Sequence, residues 1–281
     1  MPGPTASATS RYGESAVAWR RRKGPGLRVT DFLHNTIIFA VGFVASAINA
    51  VAFGGSLVSF PTLIWLGVPP IIANATNTAA VWPGSLGAVW GYRRELGQTA
   101  PRMYWLIVPS VAGAIAGAML LRVTPADVFD RLVPLLILFA TMLFAVQDRV
   151  QRMLNLAPEH RGSLWFTTAM IFQFFVSVYG GYFGAGMGIL MLAALAVLGH
   201  EDIHQMNGLK NLLAVFINAV AAGYFILAGM VRASDAVVMA LGATIGGVAA
   251  AGVARRMGRK AVRRAVIVIG FSMALAMFVR L

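Results

Sequence analysis

Apolar residues along this chain fall into long runs separated by short polar intervals, and the order of the runs is played twice. In the first half, His34 to Phe53 is long enough to cross a bilayer core as a helix rising about 1.5 Å per residue. Gly54-Gly55-Ser56 interrupts it. Leu57 to Leu66 is too short to span, contains Pro61 and ends at Gly67; Ile71 to Tyr92 and Met103 to Leu121 are full length, and Leu132 to Val146 closes the half. The second half opens with Leu164 to Tyr179, followed by a glycine series (Gly180, Gly181, Gly184, Gly186, Gly188) and the short run Ile189 to Leu198 before Gly199. A long run holding Asn207 to Phe225, then Ala236 to Ala254 and Ala265 to Val279, complete it. Phe43-Val44, Gly54, Leu63 and Gly67 answer Phe175-Val176, Gly186, Leu195 and Gly199 at an offset of 132. Such order and spacing mark an internal duplication. The pattern predicts an all-α polytopic membrane protein in two pseudo-symmetric repeats, 31–147 and 164–281, joined by a polar connector at 148–163. Residues 1–30, rich in Gly, Pro, Ser, Thr and Arg, read as a disordered basic tail.

One run in each half is not uniformly oily. Between Asn74 and Tyr92, the polar residues Asn74, Asn77, Thr78, Ser85 and Tyr92 fall within an arc of about 100° on a helix, a single polar stripe. Adding 133 gives Asn207, Lys210, Asn211, Asn218 and Phe225. The step from 132 to 133 implies one inserted residue in the intervening loop. Two striped helices at matching places are what a polar site between two repeats requires.

Composition agrees with a membrane protein: of 281 residues 58% are hydrophobic and 12% charged, far fewer charges than a water-soluble domain carries. The net charge of +13 does not point to nucleic acid. Its residues flank apolar runs in blocks, Arg20 to Lys23 in the tail and Arg255 to Arg264 late in the chain, as cytoplasmic anchors beside anionic lipid do. Both blocks are therefore expected in the cytoplasm, with the tail. Nine apolar runs separate them, so parity requires at least one glycine-broken run to be re-entrant. There is no cysteine, which excludes disulfides and thiolate chemistry. Val41 to Ala47 has a small-x-small ending, but the region before it is too long and the apolar run continues beyond it, against a cleaved signal peptide.

Candidate chemistry lies at the breaks and on the stripes. Gly54, Gly55 and Ser56, with Gly184, Gly186 and Gly188, stand where unwound backbone at membrane depth can offer N–H and C=O groups to a small ion. Close helix packing is the plainer reading of such glycines, as it is for the GxxxG pairs Gly113/Gly117 and Gly242/Gly246. Lys210 is a cation inside an apolar run, where insertion costs about 2.5–3.5 kcal/mol; it either meets an anion or snorkels to the interface. Asn74, Asn77, Thr78, Ser85, Asn207, Asn211 and Asn218 would orient a ligand, and Asn49 and Gln173 are weaker cases. No acidic residue falls within an apolar run. His200-Glu201-Asp202-Ile203-His204 matches the H-E-x-x-H zinc-protease pattern, so an intramembrane metalloprotease is the competing class. Its counterpart in the first half, Val68 to Ile72, has no ligand residue, and the plainer reading is a solvated acidic loop. A channel or scaffold is the third class.

The glycine breaks, Pro61, Gly67, Ala75-Thr76-Asn77 and the run from Gly180 to Gly208-Leu209-Lys210 together resemble the TauE/SafE family of sulfite exporter-like transporters, over roughly residues 31 to 281. The resemblance implies an inner-membrane transporter of about eight spans, moving small sulfur-containing anions such as sulfite or sulfonates. The Gly-Gly-Ser break is shorter than such proteins often have. No catalytic residue, metal or cofactor is expected; the partners are a small anion and the bilayer, and the oligomeric state is open.

Overall fold

The computed structural model describes residues 28–52, 54–154, 163–197, 203–257 and 259–280. Each apolar run is a helix. The first half holds α1 (Arg28–Ala52), α2 (Ser56–Trp65), α3 (Pro70–Gly91), the short α4 (Arg93–Gly97), a 3-10 turn (Pro101–Leu106), α5 (Ile107–Val123) and α6 (Ala126–Leu154). The second holds α7 (Ser163–Tyr182), α8 (Met187–Val197), α9 (Ile203–Leu227), α10 (Ala233–Met257) and α11 (Arg259–Arg280). Among the described residues four stretches, Phe32–Asn49, Pro101–Val123, Ala126–Val146 and Gln205–Leu227, qualify as membrane spans by length and composition. With 10 and 11 residues, α2 and α8 are half-length, and each follows a sharp return of the chain. Pro61 sits inside α2 without ending it. Gly67, at φ 81°, lets the chain leave α2 and turn into α3.

Glycines decide which helices touch. A Cβ at Gly242 or Gly246 of α10 would run into the carbonyl oxygens of Phe39 or Phe43 of α1, and one at Gly42 into that of Met239. In the same way Gly113 and Gly117 of α5 lie against the carbonyls of Phe174 and Val178 of α7. Both GxxxG pairs thus serve close packing. The numbers rise together in each pair, so α1 runs parallel to α10, and α5 parallel to α7. Each repeat therefore lends its helix after the stripe to the first helix of the other repeat.

The striped helices cross at the centre. Trp82 Nε1 donates to the carbonyl of Val215, 3.1 Å away and 133 residues on, so equivalent points of the two repeats meet. Gly208, near the start of α9, lies against Tyr92 and Leu96, just past the end of α3, which makes α3 and α9 antiparallel. The repeats are accordingly inverted with respect to each other, the arrangement of many transporters. At one end of the molecule, buried Asp235 meets His34 Nε2 and Arg232 Nε, each at 3.2 Å, and the Arg232 N–H donates to Thr76 Oγ1. Tyr92 and Gly208 mark the other end. Exposed Trp65 lies toward the first, and exposed Trp90 and Trp105 toward the second, as interfacial aromatic belts do.

Three expectations change. Residues 255–264 are not a loop: α10 runs to Met257 and α11 starts at Arg259. Because α10 is parallel to α1, that basic run lies at the opposite end from the start of α1; Arg20 to Lys23 lie outside the described residues. The connector is shorter than its polarity suggests, since α6 continues to Leu154; Arg149, Gln151, Arg152, Met153 and Leu154 are good helix formers, and neither Gly nor Pro interrupts them. Finally, Asp235 belongs to the first turn of α10 and is 1% exposed, so a carboxylate is buried after all.

Candidate functional site

A cavity of about 320 Å³ lies between the two breaks and the two striped helices. Of the residues singled out above, Gly54 and Ser56 line it from the first break, and Gly184, Gly186 and Gly188 from the second. Asn77, Thr78 and Ser85 line it from α3, and Asn211 and Asn218 from α9. Along α3 the lining continues through Gly87 and Gly91 to Tyr92, so the cavity reaches the Tyr92 end. Toward the Asp235 end it stops, where Ala73, Asn74, Ala75 and Thr76 are buried. No Lys, Arg, His, Asp or Glu is among the described residues of the wall.

The two breaks differ in backbone. At the first, Gly55 has ordinary helical angles and its N–H donates to Asn49 Oδ1 at 2.7 Å. Ser59, one turn into α2, donates to Asn77 Oδ1 at 2.5 Å and fixes that amide. At the second, Gly184 and Gly186 have φ of 79° and 78°, a left-handed conformation natural only to glycine. Gly54 also sits against the Phe144 ring, where a Cβ would be crowded. Both breaks pass directly into the N-termini of half-length helices, so α2 and α8 direct the positive ends of their dipoles toward the cavity.

Other singled-out residues hold this frame from behind. Asn74 Nδ2 donates to the Tyr182 carbonyl at 2.8 Å, tying α3 to the end of α7. Gly55 is off the wall, packed against the Ala45 carbonyl, while Asn49, which accepts its N–H, does line the cavity. Lys210 is buried at 3% exposure and its ammonium donates to Asn207 Oδ1 at 2.7 Å; neither residue is on the wall. Phe225, the stripe counterpart of Tyr92, is fully buried in the core. Gln173 bonds Ser110 and Ser177 between α5 and α7. His200 and Glu201 lie outside the described residues, among which no group of three metal-ligating side chains occurs.

Sequence reasoning passed over Ser46, Trp82, Phe183, Ala185, Met187 and Gly247, all on the wall. Trp82 had a signal, since it lies only about 80° from Asn74 on the helical wheel and so borders the stripe. Ser46 and Gly247 had none, because they reach the cavity through the α1–α10 contact, where Gly247 abuts Ser46 Oγ and the Gly84 carbonyl.

The family model described as Sulfite exporter TauE/SafE matches residues 38–277. A "Probable membrane transporter protein" of Haemophilus influenzae is 27% identical over 247 residues, covering 86% of this chain and 93% of its own length. YfcA of Escherichia coli K12, named likewise, is 25% identical over 85% of this chain and 87% of its own, and ORF9 of a Sinorhizobium species 23% over 85% and 90%. No solved structure matches with significance. A match over nearly all the described helices, with apolar spans and relatives named as transporters, makes this all-α polytopic membrane protein a member of the TauE/SafE family.

Proposed function

We propose that the protein is an inner-membrane transporter of small anions, sulfur-containing ones such as sulfite or sulfonates foremost, and that the cavity is its binding site. The observation that carries this reading is a cavity of about 320 Å³, mostly apolar but carrying convergent polar side chains, bordered by two glycine breaks and the N-termini of α2 and α8. An oxyanion suits such a site: helix N-termini supply partial positive charge and N–H donors, while Asn77, Thr78, Ser85, Asn211 and Asn218 supply orientation. Gly54, Gly55, Ser56, Gly184, Gly186 and Gly188 are assigned to the backbone part of the site. Lys210, with Asn74 and Asn207 in the layer behind, contributes a full charge through space. A cavity that reaches the Tyr92 end and stops short of the Asp235 end fits one state of an alternating-access cycle. With a cytoplasmic tail, this state opens to the outer face.

The test is a panel of sulfite, sulfate, methanesulfonate and acetate, each radiolabelled, in proteoliposomes. Saturable flux of a sulfur oxyanion is expected. Linear flux would make the protein a channel, and no flux of any member would overturn the reading. The metalloprotease alternative predicts stoichiometric zinc, lost on His200→Ala with His204→Ala; elemental analysis of purified protein is expected to find none.

A further inference from the structure

We propose that Tyr179 positions the second break so that the backbone N–H of Gly186 donates to the bound anion; this rests on the anion-site reading above. The Tyr179 hydroxyl donates to the Ala185 carbonyl at 2.6 Å. A trans peptide is planar, with its C=O and N–H pointing opposite ways, so the direction of the Ala185 carbonyl sets that of the Gly186 N–H. Ala185 and Gly186 line the cavity and Tyr179 does not. The carbonyl is therefore drawn behind the wall, and the N–H is turned into the cavity. Among the described residues no protein acceptor takes that N–H.

The peptide joining Ala185 to Gly186 needs such a clamp. Gly186, left-handed here, also tolerates the φ of the rotated peptide, in which the carbonyl would face the anion and repel it. The Tyr179 ring is itself held, edge-on to Phe139 at 5.6 Å and beside Phe183 at 6.4 Å. The first repeat has no such device. Ala47, which has no hydroxyl, stands at the place equivalent to Tyr179, and at that break it is the Gly55 N–H that is held, by Asn49 Oδ1. The duplicated frame is thus asymmetric in this clamp.

The experiment is radiolabelled sulfite flux through Tyr179→Phe in proteoliposomes, together with amide exchange over residues 183–188 with and without sulfite; the other panel anions replace sulfite if only they saturate the wild type. Phenylalanine keeps the ring contacts and removes only the hydroxyl. The half-saturation concentration is expected to rise about tenfold, the scale of one hydrogen bond to a charged group, with maximal flux within about twofold. A packing defect would instead lower maximal flux and thermal stability together, and would overturn the assignment. Wild-type exchange is expected to slow when the anion binds, and this protection to be lost in the variant. Unchanged half-saturation in Tyr179→Phe, with a saturable wild type, overturns this inference and leaves the anion site standing. If no panel anion saturates the wild type, the site reading falls and takes the inference with it.

Discussion

Lys210 shows what a single residue's address in the sequence can and cannot tell. Its burial follows from its place in an apolar run, but its bond to Asn207, one turn back on the same helix, is a matter of rotamer that no periodicity fixes. At an effective dielectric of about 20, any two unit charges roughly 10 Å apart interact by about 1.7 kcal/mol, so a charge in the layer behind a wall still counts. Lys210→Gln keeps a donor for Asn207 and removes the charge. It is expected to insert normally and to raise the half-saturation concentration roughly tenfold, about 1.4 kcal/mol, and saturation kinetics of reconstituted protein check this. Wild-type kinetics would remove Lys210 from the site and leave the helix N-termini. Asp235 is the opposite case, since its position just ahead of an apolar run suggests exposure, yet His34 and Arg232 hold it buried. Asp235→Ala strands Arg232 without this partner and is expected to cost about 3 kcal/mol, as breaking buried pairs does; thermal unfolding in detergent measures it.

At the scale of elements, the helices were largely legible, because apolar length and glycine punctuation are local properties. All ten apolar runs became helices, and both half-length ones were recognised by their length. Partner choice was less so. The GxxxG pairs announced close packing, but nothing local in Gly242 or Gly246 says that the opposing backbone belongs to α1 of the other repeat. Gly246→Leu would drive a side chain into the Phe43 carbonyl and is expected to cost at least about 3 kcal/mol or prevent assembly. Gly223→Ala on α9, where a Cβ meets nothing, is expected to stabilise by about 0.5–1 kcal/mol. Thermal-shift midpoints of the two variants should move in opposite directions; equal shifts would mean that the carbonyl contact does not govern the α1–α10 pairing.

For the whole molecule, inversion of the repeats was the feature hidden from the sequence, where a duplication reads the same whichever way its copies are inserted. Charge counting led to both basic blocks on one side; the parallel pairing of α1 with α10 puts the start of α1 and the end of α10 at opposite ends. Reporters fused ahead of residue 28 and inserted between α10 and α11 are expected on opposite sides, and a same-side result would contradict the pairing. The crossing of Trp82 with Val215 carries a different lesson, about ancestry. Two identical half-length polypeptides assembled around this axis would press each axial residue against its own twin, and twin indoles would contend for one space. Joined in a single chain, the copies are free to differ, one supplying the indole as donor and the other a valine whose carbonyl receives it. A pair of second copies, re-created by cutting the gene and discarding the first, has no indole with which to make that contact.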